Sequence, residues 1–163
     1  MSTAITYINR PTGRIAYDLI GDGPLVICLP GMGDVRSVYR FLAQALAEAG
    51  FRIATMDLRG HGDSDATFDV YDDVAAGTDL ISLAEHLGGP AVLIGNSMGA
   101  GAACWAAAEA RWIADRLNGE VLIVPGAGHY PQAEFPEVVS PAVVEFVRRI
   151  TLPVAAIHSI GRE

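Results

Sequence analysis

The chain alternates short β-rich runs with helical stretches. Residues 5–8 and 14–19 flank the turn signal Pro11-Thr12-Gly13 and predict an antiparallel hairpin. Leu25–Leu29 is apolar at every position, as a strand buried on both faces should be. Residues 35–49 repeat apolar positions at helical spacing, with Val38, Phe41, Leu42, Ala45 and Leu46 on one face and Gly50 as the stop. Residues 51–56 read as the next strand, 70–87 as a second helix and 91–94 as a third core strand. Such alternation predicts a parallel sheet with right-handed crossovers and helices on both faces. Ligands bind such sheets beyond the carboxyl ends of the strands, where the loops starting at Pro30, Asp57 and Gly95 would meet.

The third of these loops organises the chain. Gly95-Asn96-Ser97-Met98-Gly99 closes an apolar strand and opens an alanine-rich helical stretch over residues 100–110. Glycines on either side leave room for a sharp, strained turn that raises the serine hydroxyl at the sheet edge. The helix start behind it offers free N–H groups and a positive dipole end, suited to a developing oxyanion. Beyond this turn, 112–117 is an amphipathic turn and a half, Asn118-Gly119 ends the helix, and 121–124 is a further buried strand. A closing helix over 138–149 points Val139, Val143, Phe146 and Val147 inward.

At 163 residues the chain is sized for one domain, placed at 1–150, with 151–163 as a tail. Half the residues are hydrophobic (51%), so the chain folds; a net charge of −8 argues against nucleic acid or an anionic membrane as partner. The first twelve residues carry no apolar signal core and no run reaches the length of a membrane span, so a cytoplasmic location is expected. Cys28, in a strand, and Cys104, in a small-residue helix, are expected as buried free thiols. No ligand spacing suggests a metal, and the glycines at 31 and 33 lack the lysine of a nucleotide loop, so no cofactor is implied.

Four segments in order now resemble the α/β-hydrolase family: Leu29-Pro30-Gly31-Met32-Gly33 its oxyanion loop, Asp57-Leu58-Arg59-Gly60-His61-Gly62-Asp63-Ser64 its Asp-x-Arg-Gly-x-Gly-x-Ser turn, Gly95 to Gly99 its elbow, and the stretch from Gly128-His129-Tyr130-Pro131 to Glu137 its histidine loop. The resemblance implies Ser97 as nucleophile, His129 as its general base, and the backbone N–H groups of Met32 and Met98 as the oxyanion hole. It implies a carboxylic ester or acyl compound as substrate, cleaved through an acyl-Ser97 intermediate. Asp57 reads as ordering its own glycine turn, and His61, with only a turn context, reads as structural.

The family also places an acid, two more strands and usually a cap between the elbow helix and the histidine. Here one helix and one strand separate Ser97 from His129, so a join is placed near 109–111 and the fold reads as a truncated α/β-hydrolase. Asp115 lies roughly 27 Å down the helix from Ser97, and Glu120 opens its strand at the wrong end of the sheet. Asp34, beside the oxyanion loop, is the remaining candidate acid. Turnover is accordingly expected to be weak or absent; the alternatives are a self-associating, non-catalytic remnant or an acyl-binding module. A helix over 98–117 would be about 30 Å long, against about 20 Å for a six-residue strand. Either it kinks near Arg111, or it carries 121–150 into a second chain as a domain-swapped homodimer, which is the expectation.

Overall fold

The computed structural model describes residues 5–109, 124–127 and 130–151. The expected strand at 121–123, the helical stretch 112–117, positions 110 and 111 of the join, Asp115, Glu120 and His129 lie outside these residues, as does the tail from 152.

The hairpin forms as β1 (Thr6–Arg10) and β2 (Gly13–Ile20), paired antiparallel from Thr6 with Tyr17 to Arg10 with Gly13. β2 then pairs antiparallel with β4 (Arg52–Met56). β4 pairs parallel with β3 (Leu25–Leu29), and β3 with β5 (Ala91–Gly95). The five-stranded order is thus β1-β2-β4-β3-β5. From β3 the chain moves one way to β4, then crosses back over β3 to β5. The two crossovers run in opposite directions along the sheet and put their helices on opposite faces.

β3 shows why it must be apolar throughout. Val26 and Cys28 face a core built with Val38, Tyr39, Leu42, Leu46, Ile53 and Val147. Leu25, Ile27 and Leu29 face the other core, with Leu80, Leu83, Ala102 and Ala106. The period-two alternation of a strand divides one sequence between two layers. On the first face lie α1 (Arg40–Glu48) and α5 (Pro136–Thr151). On the second lie α2 (Asp73–His86) and α3 (Met98–Glu109). α2 and α3 approach closely because Gly77 has no side chain: a Cβ there would lie 2.5 Å from the Trp105 ring.

Several expectations are corrected in detail. The helix predicted over 35–49 begins as a 3-10 turn, Arg36–Tyr39, before α1. That tighter start shifts the buried stripe to Val38, Tyr39, Leu42, Ala43 and Leu46. Phe41, expected inside, is exposed under the guanidinium of Arg40, 4.3 Å from its ring centre. α2 starts at Asp73 rather than residue 70, because the Asp72 carboxylate accepts the Ala75 N–H at 2.8 Å and caps the helix. A short α4 (Pro131–Glu134) precedes the closing helix. In α5, Val139 and Val147 are buried and Val143 and Phe146 pack beside them, the face the pattern predicts. Cys28 is buried, and burial pushes its thiol up to about 12. Cys104 is exposed, against expectation, because the inward face of α3 is taken by Ala102, Ala103 and Ala106.

Candidate active site

Leu29 pairs with Gly95 across the parallel ladder, so the chain leaves β3 and β5 at the same level. The Pro30 loop and the elbow are neighbours for that reason. Ser97 sits at φ 50°, the one non-glycine positive φ among the described residues, and its side chain is exposed. This left-handed conformation is strained for any residue with a Cβ and persists only where the surrounding structure over-determines it. The glycines around it answer to space. A Cβ on Gly95 would lie 2.3 Å from the Gly99 carbonyl oxygen, and one on Gly99 would lie 2.2 Å from that of Leu29. The N–H groups of Gly99, Ala100 and Gly101 close the turn onto the carbonyls of Asn96 and Ser97 at 2.8, 3.0 and 3.3 Å. Met98 heads α3 ahead of these donors, directly after the serine.

The Pro30–Asp34 loop presses on the elbow. A Cβ at Gly31 would be 3.1 Å from that of Ser97 and 3.0 Å from Asn96 Oδ1. Its root is fixed at Leu29, whose carbonyl accepts both the Asn96 N–H at 3.2 Å and the Tyr39 hydroxyl at 2.9 Å. Burial, with smaller contributions from Cys28 and Asp34, raises the Tyr39 phenol well above its usual value and keeps it a donor. Met32 is 70% exposed at the tip, and Asp34 Oδ1 accepts the Val35 N–H at 2.8 Å.

The Asp57–Ser64 turn supplies the third wall. Asp57 is fully buried and accepts from the Arg36 backbone at 2.6 Å, from the Arg36 guanidinium and from the Asp63 N–H at 3.1 Å. It thus ties its own turn to the far end of the Pro30–Asp34 loop, a structural role wider than the one read from the sequence. Burial opposes the charge on Arg36, but Asp18, Asp63 and Asp57 outweigh it and raise the guanidinium above its ordinary value. Arg59 grips the buried Asp79 of α2 through two nitrogens, at 2.6 and 2.9 Å, and Arg10 of β1 reaches the same carboxylate at 2.7 Å. The hydrogen bond to Asp79, reduced somewhat by burial, raises Arg59 as well.

Between these walls lies a cavity of about 70 Å³, bounded by Met32 and Met98 with Leu58, Arg59, His61 and Asp72. The two residues expected to donate the oxyanion-hole N–H groups therefore share one recess beside Ser97. Of the residues singled out in the sequence, Met32 and Met98 line one recess at the carboxyl edge of the sheet, Ser97 lies against Gly31, and Asp34 bonds within its own loop. His129 lies outside the described residues. Tyr130, which follows it, packs with the core beneath α1 and opens α4, and its N–H bonds to Glu134 Oε1 at 3.0 Å. Sequence reasoning missed Tyr39, Arg36 and Asp79, whose partners lie far along the chain. Only the Asp-x-Arg-Gly turn gave any signal of them.

A strained serine between a parallel strand and a helix, faced by a glycine loop, is the arrangement of one fold family. The family model for the alpha/beta hydrolase fold matches residues 24–158, and the chain belongs to that family. It is 29% identical to the sn-1-specific diacylglycerol lipase ABHD11 of Mus musculus over 91% of this chain and 48% of that protein. It is 33% identical to a soluble epoxide hydrolase of Corynebacterium sp. (strain C12) over 72% of this chain and 42% of the other. Among solved structures, a thermophilic esterase from Thermogutta terrifontis superposes with a TM-score of 0.60 at 30% identity, covering 67% of this chain and 42% of that one. A Vigna radiata epoxide hydrolase mutant, M263Q, also superposes with a TM-score of 0.60, at 27% identity and over 34% of its length. The chain spans less than half the length of each of these relatives. Among the described residues no helix is long and apolar enough to cross a membrane, and no group of side chains could hold a metal ion.

Proposed function

We propose that the chain carries the nucleophile half of a serine hydrolase that cleaves carboxylic esters, with low turnover. The observation that supports this reading is Ser97, exposed at φ 50° with the Gly31–Met32 loop packed on it. In the proposed reaction Ser97 Oγ attacks the ester carbonyl carbon while the His129 imidazole takes its proton. The carbonyl oxygen becomes an oxyanion facing the N–H groups of Met32 and Met98. Collapse expels the alcohol, which leaves with the proton, and water then cleaves the acyl-Ser97 ester.

The relatives include enzymes named for epoxides as well as for esters, and the chemistry of serine decides between them. An alkoxide opening an epoxide leaves an ether, which water does not cleave, so the site would turn over once. An acyl-serine is itself an ester and is released. Turnover is low in this reading because the sequence between Ser97 and His129 is too short to hold the segment in which the family carries its acid. Loss of that orientation costs about 10⁴ in the serine-protease case, while the oxyanion hole alone retains part of the acceleration.

The experiment is hydrolysis of p-nitrophenyl acetate. Slow turnover that disappears in Ser97→Ala supports the reading; equal rates in the two proteins remove it. His129→Ala should slow the reaction by less than about tenfold, below the usual effect of a general base. A thousandfold loss would mean that a complete dyad operates.

A further inference from the structure

His61 belongs by sequence to the Asp57–Ser64 turn, yet it bonds to another loop. Nδ1 lies 2.8 Å from the Arg59 carbonyl oxygen, and Nε2 lies 2.9 Å from the Gly33 backbone nitrogen. A carbonyl oxygen only accepts and a backbone amide only donates. These partners call for the hydrogen on Nδ1 and the lone pair on Nε2. A protonated ring would set a second N–H against that of Gly33.

The bonded amide is the next peptide along from the Met32 N–H, the proposed oxyanion donor. Gly33 sits at φ 86°, and a Cβ there would meet nothing within 4 Å. Two hydrogen bonds, Asp34 N–H to Gly31 O at 3.2 Å and Val35 N–H to Asp34 Oδ1, stay within the loop. The His61 bond ties the Met32–Gly33 peptide to a different part of the fold.

We propose that His61 is a positioning residue: as a neutral imidazole it clamps the Met32–Gly33 peptide, keeping the Met32 N–H aimed at the oxyanion, and protonation of the ring releases the loop. The catalytic consequence rests on the serine-hydrolase reading; the clamp itself does not. Arg59, Tyr71 and Asp72 line the same recess as the ring, Asp57 and Asp63 share its turn, and Asp34 lies on the clamped loop. Each of the ionic ones has its own partner. Asp57 and Asp63 pair with Arg36, Arg59 with Asp79, Asp72 with the Ala75 N–H and Asp34 with the Val35 N–H. The clamp is therefore set by the two backbone partners of the ring.

The test is nitrogen-15 NMR of the full chain with kinetics on the same proteins. At neutral pH His61 should show a protonated Nδ1 and a bare Nε2. The Gly33 amide should shift with the same pH midpoint as the His61 ring, and that shift should vanish in His61→Gln, whose amide oxygen can take over the acceptor role. On p-nitrophenyl acetate, His61→Ala should lower kcat by about tenfold or more, below the 10²–10³ seen when an oxyanion donor is removed outright. KM should change less than about twofold, and His61→Gln should recover most of the rate. A protonated Nε2 at neutral pH, or a Gly33 amide indifferent to the His61 titration, overturns the clamp. An unchanged kcat in His61→Ala, where Ser97-dependent turnover is measured, overturns the positioning role. Absence of any Ser97-dependent turnover defeats the hydrolase reading and leaves the clamp to the amide titration.

Discussion

A serine at φ 50° pays for its exposure with backbone strain, since a left-handed conformation costs an L-residue about 1–2 kcal/mol. Glycine removes that strain and alanine keeps it. Ser97→Gly should therefore be more stable than Ser97→Ala by about 1 kcal/mol in urea denaturation, although both lack the nucleophile. Equal stabilities would show that the turn is relaxed and that the strain has no part in presenting the hydroxyl. The same turn was readable from the sequence because its constraints are local: the spacing of Gly95, Ser97 and Gly99 follows from carbonyl oxygens a Cβ would strike. His61 was read only as a turn residue because its acceptor role depends on Gly33, in a separate loop that folding brings to 2.9 Å.

Between elements, the buried Asp79 joins β1, the Asp57–Ser64 turn and α2 through Arg10 and Arg59. Its side chain is only 2% exposed, and the two guanidinium groups are mostly covered. Asp79→Ala leaves both cations without their carboxylate and should cost about 3–5 kcal/mol, read as a lowered denaturation midpoint. A change under 1 kcal/mol would mean that water solvates the arginines freely. Element order was legible wherever periodicity was strong: β3 matches the apolar run residue for residue, and β5 and α3 flank the elbow as read. The misplaced starts of α1 and α2 are cap effects. A 3-10 turn before Arg40 and the Asp72 cap decide them, and hydrophobic spacing does not register either feature.

For the whole molecule, the sheet places β3 between β4 and β5, and among the described residues β5 pairs on one side only. The length misfit expected after α3 supports the proposal of a homodimer with exchanged elements. Light scattering behind a sizing column should give twice the chain mass; a monomer mass held to high micromolar concentration would end the proposal. The chain is proposed to keep the nucleophile of an α/β-hydrolase, Ser97, in working geometry. A fluorophosphonate reports on that alone, because Ser97 Oγ would displace fluoride from phosphorus and form a bond that is not hydrolysed in the experiment. Mass spectrometry of the treated full chain should find one adduct, mapped to Ser97 and absent from Ser97→Ala. No adduct, or one on another residue that persists in Ser97→Ala, would contradict the account.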